Sequence, residues 1–193
     1  MKFDTDFVED FSFDFGEYLI SRFARNFGRG EDKAFITGTG INEPTGILHE
    51  SEGAQVGITA DTLTYDSVIE LFFSVEPEYR KSAAWLVNDK TALALKKLKD
   101  ADGNYLWNSN NDTILGKPVV ISEFMPDAEV GSKPIAFGDF SYYWIVDRSK
   151  VSLRTLTEKF DTLDQIGYLA IKYLDGKLIR NEAVKVLTLV TEG

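Results

Sequence analysis

Phe15, Leu19, Phe23 and Phe27 recur every four residues, with Tyr18 beside them. That spacing draws one apolar stripe down a helix, and it is the strongest single constraint on how this chain folds. Asp14 stands where an N-cap belongs, and Glu17 three positions later completes a capping-box-like pair. The stripe predicts a helix to about Ala34, weakened by Gly28 and Gly30, which leave room for a bend or an early end near Gly28.

Downstream the period changes. Val68, Leu71, Phe72 and Val75 sit at i, i+3, i+4 and i+7, predicting a second helix that Pro77 stops. AAWLV (83–87) reads as a buried strand, and NDKTALALKKLKD offers Asn88 or Asp89 as cap to a helix burying Ala92, Leu95 and Leu98. From Tyr105 onward KPVVISEF, KPIAFGD, SYYWIVDR and VSLRTL are short, rich in β-branched and aromatic residues, and punctuated by Gly, Pro or Asp. IGYLAIKYL and KLI flank Asp175-Gly176, which suits a tight hairpin turn, and AVKVLTLV reads as one more strand. Helices early and strands late predict an α+β fold.

A chain of 193 residues with 44% hydrophobic content can bury roughly 70% of its unfolded surface without covalent staples. The absence of cysteine excludes a disulfide framework, thiolate nucleophiles and cysteine-based metal centres, and it agrees with a reducing compartment. The opening MKFDTDFVED is acidic and does not read as a signal peptide, and no apolar run exceeds five residues, against the roughly 20 of a membrane span. A net charge of −10 disfavours attraction to nucleic-acid phosphates over the surface as a whole. Lys90, Lys96, Lys97 and Lys99 form the best local basic cluster, and a solvated helix face explains it.

KAFITGTGINEPTGIL (33–48) poses the sharpest chemical question, because three glycines in a loop can cradle phosphate. Gly38 and Gly40 fit the first and third places of a dinucleotide fingerprint, but the sixth is Glu43, a carboxylate that repels pyrophosphate, and no Walker lysine follows. The simpler reading is a structural turn in which Gly38, Gly40 and Gly46 supply backbone freedom and Pro44 stiffens the chain. Asp100, Asp102 and Asn104 match the first half of a calcium loop, but Tyr105 and Asn111 stand where glycine and glutamate are needed, so a helix-to-strand turn is expected. His49 is the sole histidine, and the acid pairs Asp161 with Asp164 and Glu50 with Glu52 lie in contexts that predict no burial. Tyr142, Tyr143 and Trp144 read as core and interface of a strand rather than a base-stacking platform. No catalytic, cofactor-binding or metal residue is assigned.

Several segments in fixed order resemble the major capsid protein family of tailed bacteriophages, whose fold encapsulin shells share. FDFGEYLISRFARNFGRGEDKAFITGTGINEPTGIL is similar to the family's spine helix and the Gly-x-Gly…Pro-x-Gly-Ile-Leu turn after it. AAWLVNDKTALALKKLKDADGNYLW resembles a strand, helix and turn of the axial domain. ILGKPVVISEFMPD and PIAFGDFSYYWIVDRSKVSL resemble the strands leading back to the peripheral domain, and GYLAIKYLDGKLIRNEAVKVLTL the closing hairpin and final strand. The resemblance implies an α+β tailed-phage capsid fold with a spine helix, a peripheral β-sheet region and a mixed α/β axial domain. It implies a peripheral domain over 1–60 and 148–180, and an axial domain over 61–147 and 181–193. It implies a structural, non-enzymatic phage or prophage subunit that joins copies of itself in pentamers and hexamers to make an icosahedral shell. Its expected partners are those copies, a portal, and scaffold or protease proteins, with packaged DNA met only indirectly and no membrane. Its expected places are the virion and, during assembly, the host cytoplasm. Gly38, Gly40, Pro44 and Gly46 would shape the connection between the domains. Family members carry an N-terminal arm and a long β-hairpin loop before the spine helix. This chain begins close to that helix, so it is expected to be the C-terminal core and, alone, mostly monomeric or weakly associated, without building shells. The lysine of the intersubunit Lys–Asn bond found in some relatives comes from that loop, so no such site is carried over. The alternative within the fold is an encapsulin-like compartment.

Overall fold

A computed structural model of the chain describes residues 1–9, 14–100, 102–108, 111–148 and 150–191. In chain order the elements are β1 (Lys2–Asp4), α1 (Thr5–Val8), α2 (Phe15–Thr37), β2 (Gln55–Ala60), α3 (Tyr65–Ser74), α4 (Pro77–Arg80), β3 (Ala84–Val87) and α5 (Asp89–Lys97). There follow β4 (Trp107–Asn108), β5 (Thr113–Ile114), β6 (Lys117–Ile121), β7 (Ile135–Gly138), β8 (Tyr143–Asp147), β9 (Ser152–Leu156), β10 (Gln165–Ile171), β11 (Leu174–Leu178) and β12 (Val184–Leu189). The α+β expectation holds. No helix among the described residues is long and apolar enough to cross a membrane.

The chain divides into two compact units, Met1–Glu31 with Val146–Asp175, and Asp32–Ile145 with Gly176–Gly193. In the first, β1, β10 and β9 form an antiparallel sheet in that order. Asp14 caps α2 as its position suggests, its Oδ1 accepting the Glu17 N–H at 2.9 Å. Phe15 and Tyr18 lie one turn apart, and with Phe3, Phe7 and Tyr168 they build an aromatic cluster of stacked, edge-on and tilted contacts, Phe3 to Phe15 at 5.1 Å and Phe15 to Tyr168 at 5.3 Å. Lys172 donates to Glu31 at 2.8 Å and approaches Asp147 at 3.5 Å, tying the last strand of this unit to the helix.

The bend that Gly28 leaves room for does not occur: α2 runs unbroken to Thr37, a few residues past the expected end near Ala34. A Cβ at either Gly28 or Gly30 would meet nothing, so neither glycine marks a crossing or a kink. Each costs only propensity, about 1 kcal/mol, which the rest of a 23-residue helix absorbs.

The second unit is a mixed seven-stranded sheet in the order β2-β12-β7-β3-β6-β5-β4. Strand alternation sends Trp85, Val87, Ile135, Phe137 and Leu187 to one face, where Val68, Leu71 and Val75 from α3 and Leu95 from α5 cover them. Leu86, Ala136, Val184 and Val186 point the other way, against Ile36, Ile47, Ala54 and Met125. Helix α3 starts from a full capping box between Thr64 and Ser67, and α5 from Asn88, whose side chain accepts the Thr91 N–H. Pro77 ends the α3 pattern as expected and then opens α4, standing at its first turn where no N–H is needed.

Asp175-Gly176 is not a hairpin turn. Both residues lie inside β11, and the partners of β10 are β1 and β9. Gly176 is needed for space instead: a Cβ there would come 3.0 Å from the Tyr143 ring and hydroxyl.

Candidate functional site

The glycine loop grows from the end of α2. Gly38 N–H still bonds back to Ala34 O at 2.9 Å, and then Thr39 and Thr45 form an isolated antiparallel bridge that pinches the loop shut. Gly40 has φ +73°, the left-handed conformation that favours glycine, and its N–H donates to Pro44 O at 3.2 Å. Pro44 is buried at the base. Below the pinch, the two backbone runs are in direct contact: Gly46 N–H donates to Gly38 O, Ile47 to Phe35 O and Leu48 to Ile36 O, all between 2.8 and 2.9 Å. The loop is then fixed to the β11-β8 pair, Thr45 N–H donating to Gly176 O and Tyr143 Oη to Thr45 O.

This geometry answers the phosphate question. A cradle needs backbone amides with no other acceptor, and here those of Gly38, Gly40, Thr45, Gly46, Ile47 and Leu48 all bond to carbonyls of the chain. The amide and hydroxyl of Thr39 both donate to the Glu43 carboxylate, at 2.9 and 2.8 Å. Glu43 supplies the loop's own anion, a role that its position in the sequence marked only as repulsion.

The Thr39 N–H holds the Glu43 carboxyl below its ordinary value, and the Thr39 hydroxyl adds to the effect. A depressed folded-state pKa stabilises above the ordinary glutamate value, about 4.3, and that contribution disappears as pH falls through the folded value. Thermal melts of Glu43→Gln against the wild type should therefore differ most near neutral pH, and the gap should narrow as pH falls below the ordinary glutamate value. An equal gap at pH 3 and pH 7 would mean that the carboxylate does not close the loop.

The remaining candidates take structural places. Asp100 accepts from the backbone of Asp102 and Asn104 and from the Asn104 side chain, which holds its carboxyl low, so it closes a turn. Among the described residues no group of three or more potential ligands gathers for a metal. His49 is half-buried and accepts the Glu52 N–H on Nδ1 at 3.1 Å. It lines a depression of about 280 Å³ with Thr37 to Thr39, Leu48 and Glu50, over backbone whose amides are largely spent. Glu50 pairs with Lys133, and Asp161 and Asp164 are both exposed around a short 3-10 turn. Three of the four clustered lysines are engaged within the chain: Lys90 pairs with Asp127, Lys96 lies over the Trp107 ring and 3.5 Å from Asp112, and Lys99 lies over Tyr105. Tyr142 packs edge-on against Tyr79 and Tyr143 against Phe35, while Trp144 is 60% exposed.

Apolar surface is left open in both units. Phe73, Leu93, Val120 and Ile121 are exposed in the second, Ile20, Val151, Leu153 and Tyr173 in the first. Scattered apolar residues are ordinary on a monomer, but grouped ones mark surfaces that meet something. Sequence reasoning had placed none of these outside, because period reports a shared face and not what covers it.

The sequence profile of the phage capsid family matches residues 1–189. Among solved structures, the chain is similar to the protein of "Capsid of empty GTA particle computed with C5 symmetry", with 32% identity and a TM-score of 0.85, over 98% of this chain and 70% of that one. The corresponding native GTA capsid gives 31% identity and 0.81 over the same shares. A chain from Microbacterium phage Oxtober96, 18% identical with a TM-score of 0.71 over 97% of this chain and 70% of that one, shares the fold. Comparison with curated protein sequences finds no match. A loop that fills its own anion site, acids spent on turns and a surface rich in open apolar residues describe a structural subunit, and the chain belongs to the phage capsid family.

Proposed function

We propose that this chain is a major capsid subunit whose copies meet around fivefold and sixfold axes and close into an icosahedral shell around DNA. The observation that carries this reading is the 32% identity, over 98% of the chain, to a GTA capsid protein. Head-to-tail contacts of one surface with a different one close into rings, which is how a single sequence fills both pentamers and hexamers. Residues 61–147 and 181–193 are assigned to the axial domain that faces the ring centre. Residues 1–60 and 148–180 are assigned to the peripheral domain. The turn built from Gly38, Gly40, Pro44 and Gly46 is assigned to the connection between the two domains. The work is done by matched surfaces, and no reaction is assigned to the chain. DNA is met only indirectly, in keeping with the −10 charge and the engaged lysines. A portal and a scaffold or protease protein complete the set of expected partners, in the virion and in the host cytoplasm where shells form.

The test is compositional. Particles sedimented from cells that express the chain with its neighbouring genes should contain it as the main protein around nuclease-protected DNA. Recovery of the chain only outside such particles would overturn the reading.

A further inference from the structure

We propose that the open edge of β9 is a self-association site, at which β9 pairs antiparallel with the same strand of a second copy across a twofold axis. The inference rests on the capsid reading, but the contact is of another kind: head-to-tail contacts build rings, whereas this one is isologous.

In the sheet order β1-β10-β9, β9 is the terminal strand, and among the described residues only β10 pairs with it. Ser152, Leu153, Arg154 and Thr155 are all exposed, so the strand has solvent on both faces as well as along its free edge. Open edges are ordinarily guarded by proline, charged side chains or a bulge; Ser152–Leu156 contains no proline, carries a single charge at Arg154 and pairs with β10 in continuous register. On one face, Val151, Leu153 and Ala170 form a wall of an apolar groove of about 290 Å³. Ile20, Phe23 and Phe27 of α2 form the other wall. That is the same stripe that dominates the sequence, so the stripe only partly buries itself within its own unit.

A second copy is the occupant because the strand matches itself. Antiparallel pairing centred on Leu153 puts Leu153 opposite the partner's Leu153 and Val151 opposite the partner's Thr155, all on the groove face. On the opposite face Ser152 meets the partner's Arg154, so no like charges are juxtaposed. Centring the pair on Arg154 would set two guanidinium groups against each other, which cross-strand pairing disfavours. The Leu153 register also joins the two grooves edge to edge, covering Val151 and Leu153, now 49% and 51% exposed.

The chain has no cysteine, so Leu153→Cys creates its only thiol. Directly opposed residues of antiparallel strands have Cα atoms about 4.5 or 5.5 Å apart, within disulfide reach. Mild oxidation of the full chain should link Leu153→Cys into a dimer at least about tenfold faster than Ile41→Cys, an exposed control in the other unit. Leu153→Lys should weaken self-association in sedimentation velocity by about tenfold or more, with an unchanged circular dichroism spectrum. Cross-linking no faster than the Ile41 control, or wild-type sedimentation of Leu153→Lys, would overturn the proposal, including the case where another protein fills the groove. Shell particles that contain Leu153→Cys and stay unlinked on oxidation would refute this contact while leaving the capsid reading standing.

Discussion

Trp85→Ala should cost about 4 kcal/mol and lower the melting temperature by roughly 12 °C, with a collapsed near-ultraviolet circular dichroism signal. The indole is fully buried, stacks on Phe137 with ring centroids 4.0 Å apart, and donates from Nε1 to Ile114 O at 3.0 Å. Removing it opens a cavity between α3 and the sheet and strands a buried carbonyl. Trp85→Phe separates the two effects: it keeps most of the ring and forfeits the hydrogen bond, so a loss of about 1 to 2 kcal/mol is expected. A fall of less than about 3 °C for the alanine variant would mean that the sheet face closes over the gap.

Gly46→Ala should be nearly as damaging, at about 3 to 4 kcal/mol and a melting temperature some 10 °C lower. Its added Cβ would lie 2.5 Å from Gly38 N and 2.5 Å from Ile36 O, and both atoms are backbone. No rotamer relieves that clash. The chain must separate, losing the bonds that Gly46, Ile47 and Leu48 make to Gly38, Phe35 and Ile36. Amide exchange at Ile47 and Leu48 should accelerate with the loss of stability. Gly30→Ala is the matching control, since its Cβ enters open space on α2, and it should stabilise by about 1 kcal/mol. If the two alanine variants melt alike, the loop is not held by backbone contact.

These contrasts explain what the sequence could tell. Helix α2 was legible because Phe15, Leu19, Phe23 and Phe27 repeat a local period, α3 because Val68, Leu71, Phe72 and Val75 share a face that Pro77 ends, and α5 because Asn88 opens it. Period is blind to partners. Gly176 read as a turn glycine because Asp-Gly is a turn signal, yet its lack of a side chain answers the ring of Tyr143, more than thirty residues earlier. Strand β2 passed unread because Gln55–Ala60 is stabilised by parallel pairing with β12, a contact that leaves no local trace. Likewise β1 gains its conformation by pairing with β10. In the glycine loop, the residue types were legible and the turn reading followed. The loop's internal anion was not, because Glu43 looked like a defect in a phosphate motif instead of the ligand that replaces one.

The placing of β12 has a consequence for biosynthesis. This strand lies between β2 and β7, and its Lys185 meets Gln55 from a distance of 130 residues along the chain. Until Val184–Leu189 has emerged from the ribosome, β2 and β7 each lack a neighbour, and the apolar faces of that sheet stay uncovered. Translation therefore acts as a timer: a nascent subunit cannot present its finished surfaces to others while it is still being made, and premature stops upstream of Val184 should yield aggregates rather than smaller building blocks.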